Sequence, residues 1–344
     1  IDLIVYEDAQ LVSEALSLLL RQHRQRIECA ENLCNVQLLC SKLQIAFLGR
    51  GKNLKKSLTR FKDSPTKSQK EYSDVLKTLQ DMILTITIQA KDNDTVIDAD
   101  VCRNRQELYK NIGVPQILLE ILRSLQIDTD NHIVLDLFKE TYRFLTLVCI
   151  GLEETKEELK RSGFAMFLAH LTSEVGSDKL ITELFSDNRK LCTQITPDDI
   201  KQFVNLIVTQ GRSPKWLGFM NSLVVVRGLP IKKNQTQVIK ELVANKTKTM
   251  LENGKDKPSL FVTQESWKIC VDLMKDYDPA KENEDTKALQ YHVELVTLLC
   301  KCANGKNRAA EELCQQQLPQ DAVIRGLQYP GTIPYVKRAY LEFL

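Results

Sequence analysis

The sequence predicts an all-α chain folded as a solenoid of stacked helix pairs, and three observations carry that prediction. With Gly at 13 and Pro at 10 among 344 residues, breakers are scarce and long helices are favoured. Apolar residues recur at helical period along the chain, even where β-branched residues cluster. One unit also recurs, a polar helix closed by glycine and followed at once by an apolar one. In RNRQELYKNIGVPQILLEILR, Gly113 precedes Val114, Leu118 and Ile121, at i, i+4, i+7 on one face. In TKEELKRSGFAMFLAHL, Gly163 precedes Phe164, Leu168 and Leu171 at the same spacing. A glycine just past a helix takes the left-handed conformation without a Cβ clash, and the apolar residue after it folds back on the helix just ended. Gly113 and Gly163 are therefore expected as structural helix stops. RIECAENLCNVQLLCSKL, with Asn35 in place of glycine, reads as a fainter third copy. Helix pairs recurring along a chain stack into a solenoid.

Taken in order, residues 1–49 read as helical repeats that precede a break. The break is RGKNLKKSLTRFKDSPTKSQK, residues 50–70, with eight Lys or Arg against one Asp, expected as a basic, mobile linker. Within it Leu54, Leu58 and Phe61 fall at i, i+4, i+7, the pattern of a short basic amphipathic helix able to dock on an acidic surface. Lys55, Lys56, Ser57 and Arg60 are the candidate partner-binding or regulatory residues. KKSL at Ser57 suits a basophilic kinase and SP at Ser64 a proline-directed one.

Residues 71–344 form the main array. MILTITI (82–88) and LVVV (223–226) look strand-like by propensity, but period overrides it: Val75, Leu79, Met82 and Ile86, and likewise Trp216, Met220 and Leu223, keep helical spacing. The best-marked helix is TPDDIKQFVNLIVTQG. Thr196 caps it, Pro197 opens it, Asp198 and Asp199 face the positive end of the dipole, and Gly211 stops it. Its buried face is Ile200, Phe203 and Ile207. NGKDKPS (253–259) and KDYDPAKENEDTK (275–287) read as polar loops.

Chemistry is sparse. Lys+Arg 47 against Asp+Glu 45 leaves no electrostatic footprint for nucleic acid. The ten cysteines are expected as reduced thiols, with Cys40, Cys149, Cys192, Cys270 and Cys300 inside apolar helical runs. His23, His132, His170 and His292 show no metal-ligand spacing and are expected at surfaces or helix ends. DNDTVIDAD (92–100) fails as a calcium loop, with Ile97 where glycine and Arg103 where glutamate would stand. NGKNR around Gly305 lacks the other residues of a phosphate loop. No catalytic residue, metal ligand or cofactor site is assigned, and an enzyme is not expected. No stretch is apolar for long enough to span a bilayer. A chain opening at Ile1 is expected to be an excerpt.

With the helix pairs in place, a resemblance follows. CRNRQELYKNIGVPQILLEILR resembles the opening of the homology region shared by ryanodine and inositol trisphosphate receptors, the RIH domain. LCTQITPDDIKQFVNLIVTQGRSPKWLGFMNSLVVVRGLPIKKNQTQVIKELV and YHVELVTLLCKCANGKNRAAEELCQQQLPQDAVIRGLQYPGTIPYVKRAYLEFL are similar to the central, second such region of the inositol trisphosphate receptor family. LVSEALSLLLRQH is similar to the helices before it. The resemblance implies an armadillo/HEAT-like array on the cytosolic face of the endoplasmic reticulum membrane, part of a tetrameric calcium-release channel. It implies as partners the other domains of the same receptor chain and neighbouring subunits, with regulatory proteins at the basic run. It implies no inositol trisphosphate contact, pore or principal calcium-sensing carboxylate within these residues. The expected function is a regulatory module coupling ligand core to pore. A free-standing armadillo/HEAT-type adaptor is the alternative, and the residues alone do not separate the two.

Overall fold

A computed structural model describes residues 7–34, 42–64, 67–87, 99–128, 130–250, 258–281 and 283–344. Among them are eighteen α-helices, one 3-10 turn at Leu171–Ser173 and one two-stranded ladder. None of the helices is long and apolar enough to cross a membrane. The all-α expectation holds, and the helices stack in two rows.

The first row begins with α3 (Gln69–Thr87) and continues through α6 (His132–Cys149), α8 (Ser177–Phe185), α11 (Pro214–Val224), α15 (Glu284–Ala303) and α18 (Pro334–Phe343), each packed on the next. The second row places α2 (Lys42–Asp63) on α5 (Val114–Ser124) and α5 on α7 (Glu153–Ala169). It resumes with α10 (Pro197–Gln210) on α12 (Lys232–Ala244), and α12 on α16 (Arg308–Gln317). Shorter or flanking helices fill the corners: α4 (Ala99–Asn111), α9 (Arg189–Thr193), α13 (Lys246–Thr249), α14 (Gln264–Lys275) and α17 (Gln320–Gln328). At the N-terminal end lies α1 (Ala9–Cys34), in which no residue from 9 to 29 is buried.

A continuous core runs between the rows. Phe138, Phe144, Phe185, Phe203 and Leu299 are all essentially inaccessible to solvent. Edge-on aromatic contacts link successive layers, as in Tyr109–Phe144 at 5.4 Å and Phe185–Phe219 at 5.5 Å between centroids. Residues 82–87 of MILTITI lie in α3, where Val75, Leu79, Met82 and Ile86 are buried as their spacing requires. In α10, Thr196 accepts from the Asp199 amide while the Asp199 side chain accepts from the Thr196 amide, closing a capping box. Ile200, Phe203 and Ile207 are buried there, and Gly211 follows at φ 92 as the expected stop.

Three expectations are corrected. Gly163 is not a stop, because α7 runs through it without a break. The tip of the Phe167 ring, one turn on, fills the space where a Cβ would stand. The glycine is needed for that close approach, and the apolar spacing after it continues one helix.

The basic run is corrected next. Residues 50–63 lie in α2, with Leu58 and Phe61 buried and Leu54 half-buried. Burying those three apolar side chains against α3 and α5 outweighs the tendency of a charged run to stay solvated, and the charges point outward.

The third correction concerns LVVV. Leu223 and Val224 end α11, but Val225–Val226 form β1, paired antiparallel with β2 (Leu229–Pro230). Arg227 and Gly228 between them both take positive φ, 49 and 76, the backbone a primed two-residue hairpin turn needs. Helical period therefore holds only as far as Val224. Asn35, where the fainter repeat would turn, lies with Cys40, residues 92–98 and most of NGKDKPS outside the described residues, whereas Ser259 is buried. The loop after α14 is shorter than expected, because Lys275 ends α14 and residues 284–287 of KDYDPAKENEDTK already open α15.

Candidate functional site

The residues singled out in the basic run come together on α2. Lys55 is half-buried, and its Nζ lies over the α4–α5 turn, 3.6 Å from where a Gly113 side chain would begin. Gly113 is left-handed at φ 77, so it ends α4 and opens α5 as predicted. An ammonium beside the C-terminal carbonyls of α4 is favourably placed against that helix's dipole. Lys56 and Arg60 are exposed and, with Lys52, form an outward stripe at i, i+4, i+8. Ser57 is half-buried in mid-helix. Ser64 closes α2, its hydroxyl donating to Glu71 at 3.2 Å. Lys62 reaches Glu120 of α5 at 2.9 Å, a bond that raises the lysine pKa.

A second set of residues, none of them legible as a motif, joins the layers of the array. Each is a polar side chain on one helix that donates to carbonyls left unpaired at the C-terminal end of another. Arg105 of α4 reaches the Thr85 carbonyl of α3 at 2.6 Å. Gln106 beside it donates to Leu147 and Ile150, at the end of α6. Lys156 of α7, only 3% exposed, donates to the Ser186 carbonyl past α8 and pairs with Glu183 at 2.7 Å. In α12, Asn234 donates to Cys192 and Leu223, ending α9 and α11. Its neighbour Gln235 donates to Lys301 and Asn304, ending α15. Asn307, in the turn before α16, supports that residue by donating to the side-chain amide oxygen of Gln235 at 3.0 Å.

The C-terminal end closes the series. Tyr291 of α15 donates to Thr249 of α13. His292, expected at a surface or helix end, is instead fully buried. One ring nitrogen bonds the Ser259 carbonyl at 3.1 Å and the other the Tyr340 hydroxyl of α18 at 3.0 Å. A carbonyl only accepts, so Nδ1 carries the proton and Nε2 accepts from tyrosine. That is a neutral imidazole, and burial lowers its pKa to about 4. His170, at the end of α7, bonds Tyr142 at 2.7 Å. Glu294 takes one bond from Asn221 at 2.9 Å, while burial raises its carboxyl above the usual range.

Cys149, Cys192 and Cys270 are buried as free thiols, pushed up to about 12 by burial, far from nucleophilic poise. Cys300 is half-buried, and its thiol faces the Glu342 carbonyl. Among the described residues no three His, Cys, Asp or Glu side chains gather as a metal site would require. The arrangement is a packed array whose layers are tied at helix ends.

Comparison with known proteins gives the family. The RIH domain model matches residues 76–253, about half of the chain, and the chain belongs to that family. The inositol 1,4,5-trisphosphate receptor itr-1 of Caenorhabditis elegans is 27% identical over 248 residues, covering 70% of this chain and 8% of that receptor. The resemblance read from the sequence, to an RIH-containing region of the inositol trisphosphate receptor, therefore holds. The chain spans less than a tenth of the length of that relative.

Proposed function

We propose that the chain is a regulatory coupling module of an inositol trisphosphate-gated calcium-release channel, lying on the cytosolic face of the endoplasmic reticulum membrane. It carries displacement between ligand core and pore and catalyses nothing. Its partners are other domains of the same receptor chain and neighbouring subunits of a homotetramer. Regulators meet it at the α2 face that holds Lys55, Lys56, Ser57 and Arg60. The observation that carries this reading is the series of buried side-chain bonds from α3 to α18. An array transmits displacement only while neighbouring layers move together, and each bond fixes one helix end to the next layer. The similarity to a receptor far longer than this chain favours a module over a free-standing adaptor.

The test is made in the full-length receptor with Gln235→Ala, which removes two bonds to the end of α15. After assembly is confirmed, ligand binding and calcium flux are measured on the same preparation. Retained binding with at least a severalfold loss of evoked flux is expected. Unchanged flux from a correctly assembled receptor lacking residues 71–344 would overturn the coupling role.

A further inference from the structure

Of the ten prolines in the chain, three follow a serine or threonine: Pro65, Pro197 and Pro214. Such a pair is what a proline-directed kinase reads, because its pocket for the residue after the acceptor suits one that has no N–H to satisfy. The structure separates the three acceptors. Thr196 holds its hydroxyl in the capping box of α10, beside the carboxylates of Asp198 and Asp199. Ser64 donates its hydroxyl to Glu71 where α2 ends. A phosphate there would meet a carboxylate and the negative end of a helix dipole.

Ser213 differs on each count. It closes the three-residue turn 211–213 between α10 and α11, with an extended backbone at φ −106 and ψ 133. Gly211 is exposed there, and Arg212 and Ser213 are half-buried. At the N-cap of a helix a serine hydroxyl ordinarily accepts from the second or third amide, yet this one makes no such bond. Its oxygen can therefore be esterified without the loss of a contact. Two cations stand beside it in the chain. Arg212 donates to the Lys248 and Thr247 carbonyls of α13 at 2.9 and 3.4 Å. Lys215 lies over the Trp216 ring, 3.9 Å from the exposed Glu174 carboxylate. A surface pair of that kind is weak, so the lysine is open to a stronger anion.

We infer that Ser213 is a phosphoacceptor for a proline-directed serine/threonine kinase. The Ser213 oxygen attacks the γ-phosphorus of ATP, the new Oγ–P bond replaces the bond to ADP, and the hydroxyl proton passes to the kinase's catalytic base. The phosphate, with about −1.5 to −2 charge at pH 7, then caps α11 at the positive end of its dipole and draws Lys215 from Glu174 onto its oxygens. Because α11 packs between α8 and α15, the modification tightens the middle of the first row. The inference does not depend on the channel reading.

The test incubates the intact chain with MgATP and a proline-directed kinase of the mitogen-activated class, followed by mass mapping of the phosphate and a thermal melt. One phosphate on Ser213 is expected, lost in Ser213→Ala and kept in Ser64→Ala. Mapping on the unaltered chain keeps the result independent of how any variant folds. The phosphorylated chain should melt about 1 to 3 °C higher, and Lys215→Gln should remove about half of that rise. A folded chain that takes no phosphate at Ser213 overturns the inference, and a peptide of residues 207–219 run beside it tells whether the fold or the motif is at fault. A chain phosphorylated at Ser213 that melts at or below the untreated temperature overturns the capping of α11.

Discussion

At His292 a single proton is shared out by its surroundings. The Ser259 carbonyl accepts a hydrogen bond from Nδ1–H and the Tyr340 hydroxyl donates one to Nε2, so a second ring proton would confront a donor. Burial lowers the pKa from 6.5 to about 4. As acid is added the unfolded chain binds its proton first. The stabilising contribution is therefore whole above pH 6.5 and is lost as pH falls towards 4, by roughly 3 kcal/mol in all. His292→Gln should remove that part of the acid sensitivity, checked by calorimetry of both proteins at pH 7 and pH 4.5. Glu294 has the opposite sign. Its raised pKa means that ionisation costs stability as pH rises through the folded value, so Glu294→Gln should stabilise the protein at pH 7 and not at pH 4. The glycines divide in the same way by local cause. Gly113→Val should cost about 1 to 3 kcal/mol because its φ is positive. Gly163→Ala gains about 1 kcal/mol in helix propensity, yet displaces the fully buried Phe167 ring, and should lower the melting temperature on balance.

Among the elements, α10 and α12 show what a sequence makes legible. Thr196, Pro197 and Asp199 act within one turn, so the start of α10 could be read directly, and Phe203→Ala there should cost about 3 to 5 kcal/mol in urea unfolding. Asn234 and Gln235 sit in KKNQTQ, which reads as an exposed polar turn of helix. Their importance comes from carbonyls on α9, α11 and α15, far off in sequence, and nothing local records them. Asn234→Ala should cost about 2 to 3 kcal/mol by leaving the Cys192 and Leu223 carbonyls unpaired, and Asn234→Asp more, since a carboxylate would face the same two acceptors. In α2 the sequence held two messages. Composition favoured a linker, the spacing of Leu54, Leu58 and Phe61 favoured a helix, and burial decided for the second. The hairpin at Arg227 was hidden for a related reason: Val225 and Val226 prolong an apolar run, and only backbone geometry ends the helix.

On the scale of the whole molecule, the two rows of helices were foreseeable because repetition and scarce breakers are properties of the entire chain, whereas the path of contact between layers was not. Those contacts share a polarity. Arg105, Gln106, Lys156, Asn234 and Gln235 all hold the last turn, or the residue just past it, of the helix they reach. The end of a helix is where its own bonding runs out, and where unwinding starts. Pulling two layers apart therefore strains the final turn of a helix before it separates the apolar faces behind it. Such an array should lengthen under load in small reversible steps, one frayed turn at a time, and recoil when the force is released, behaving as a graded spring rather than a rigid rod.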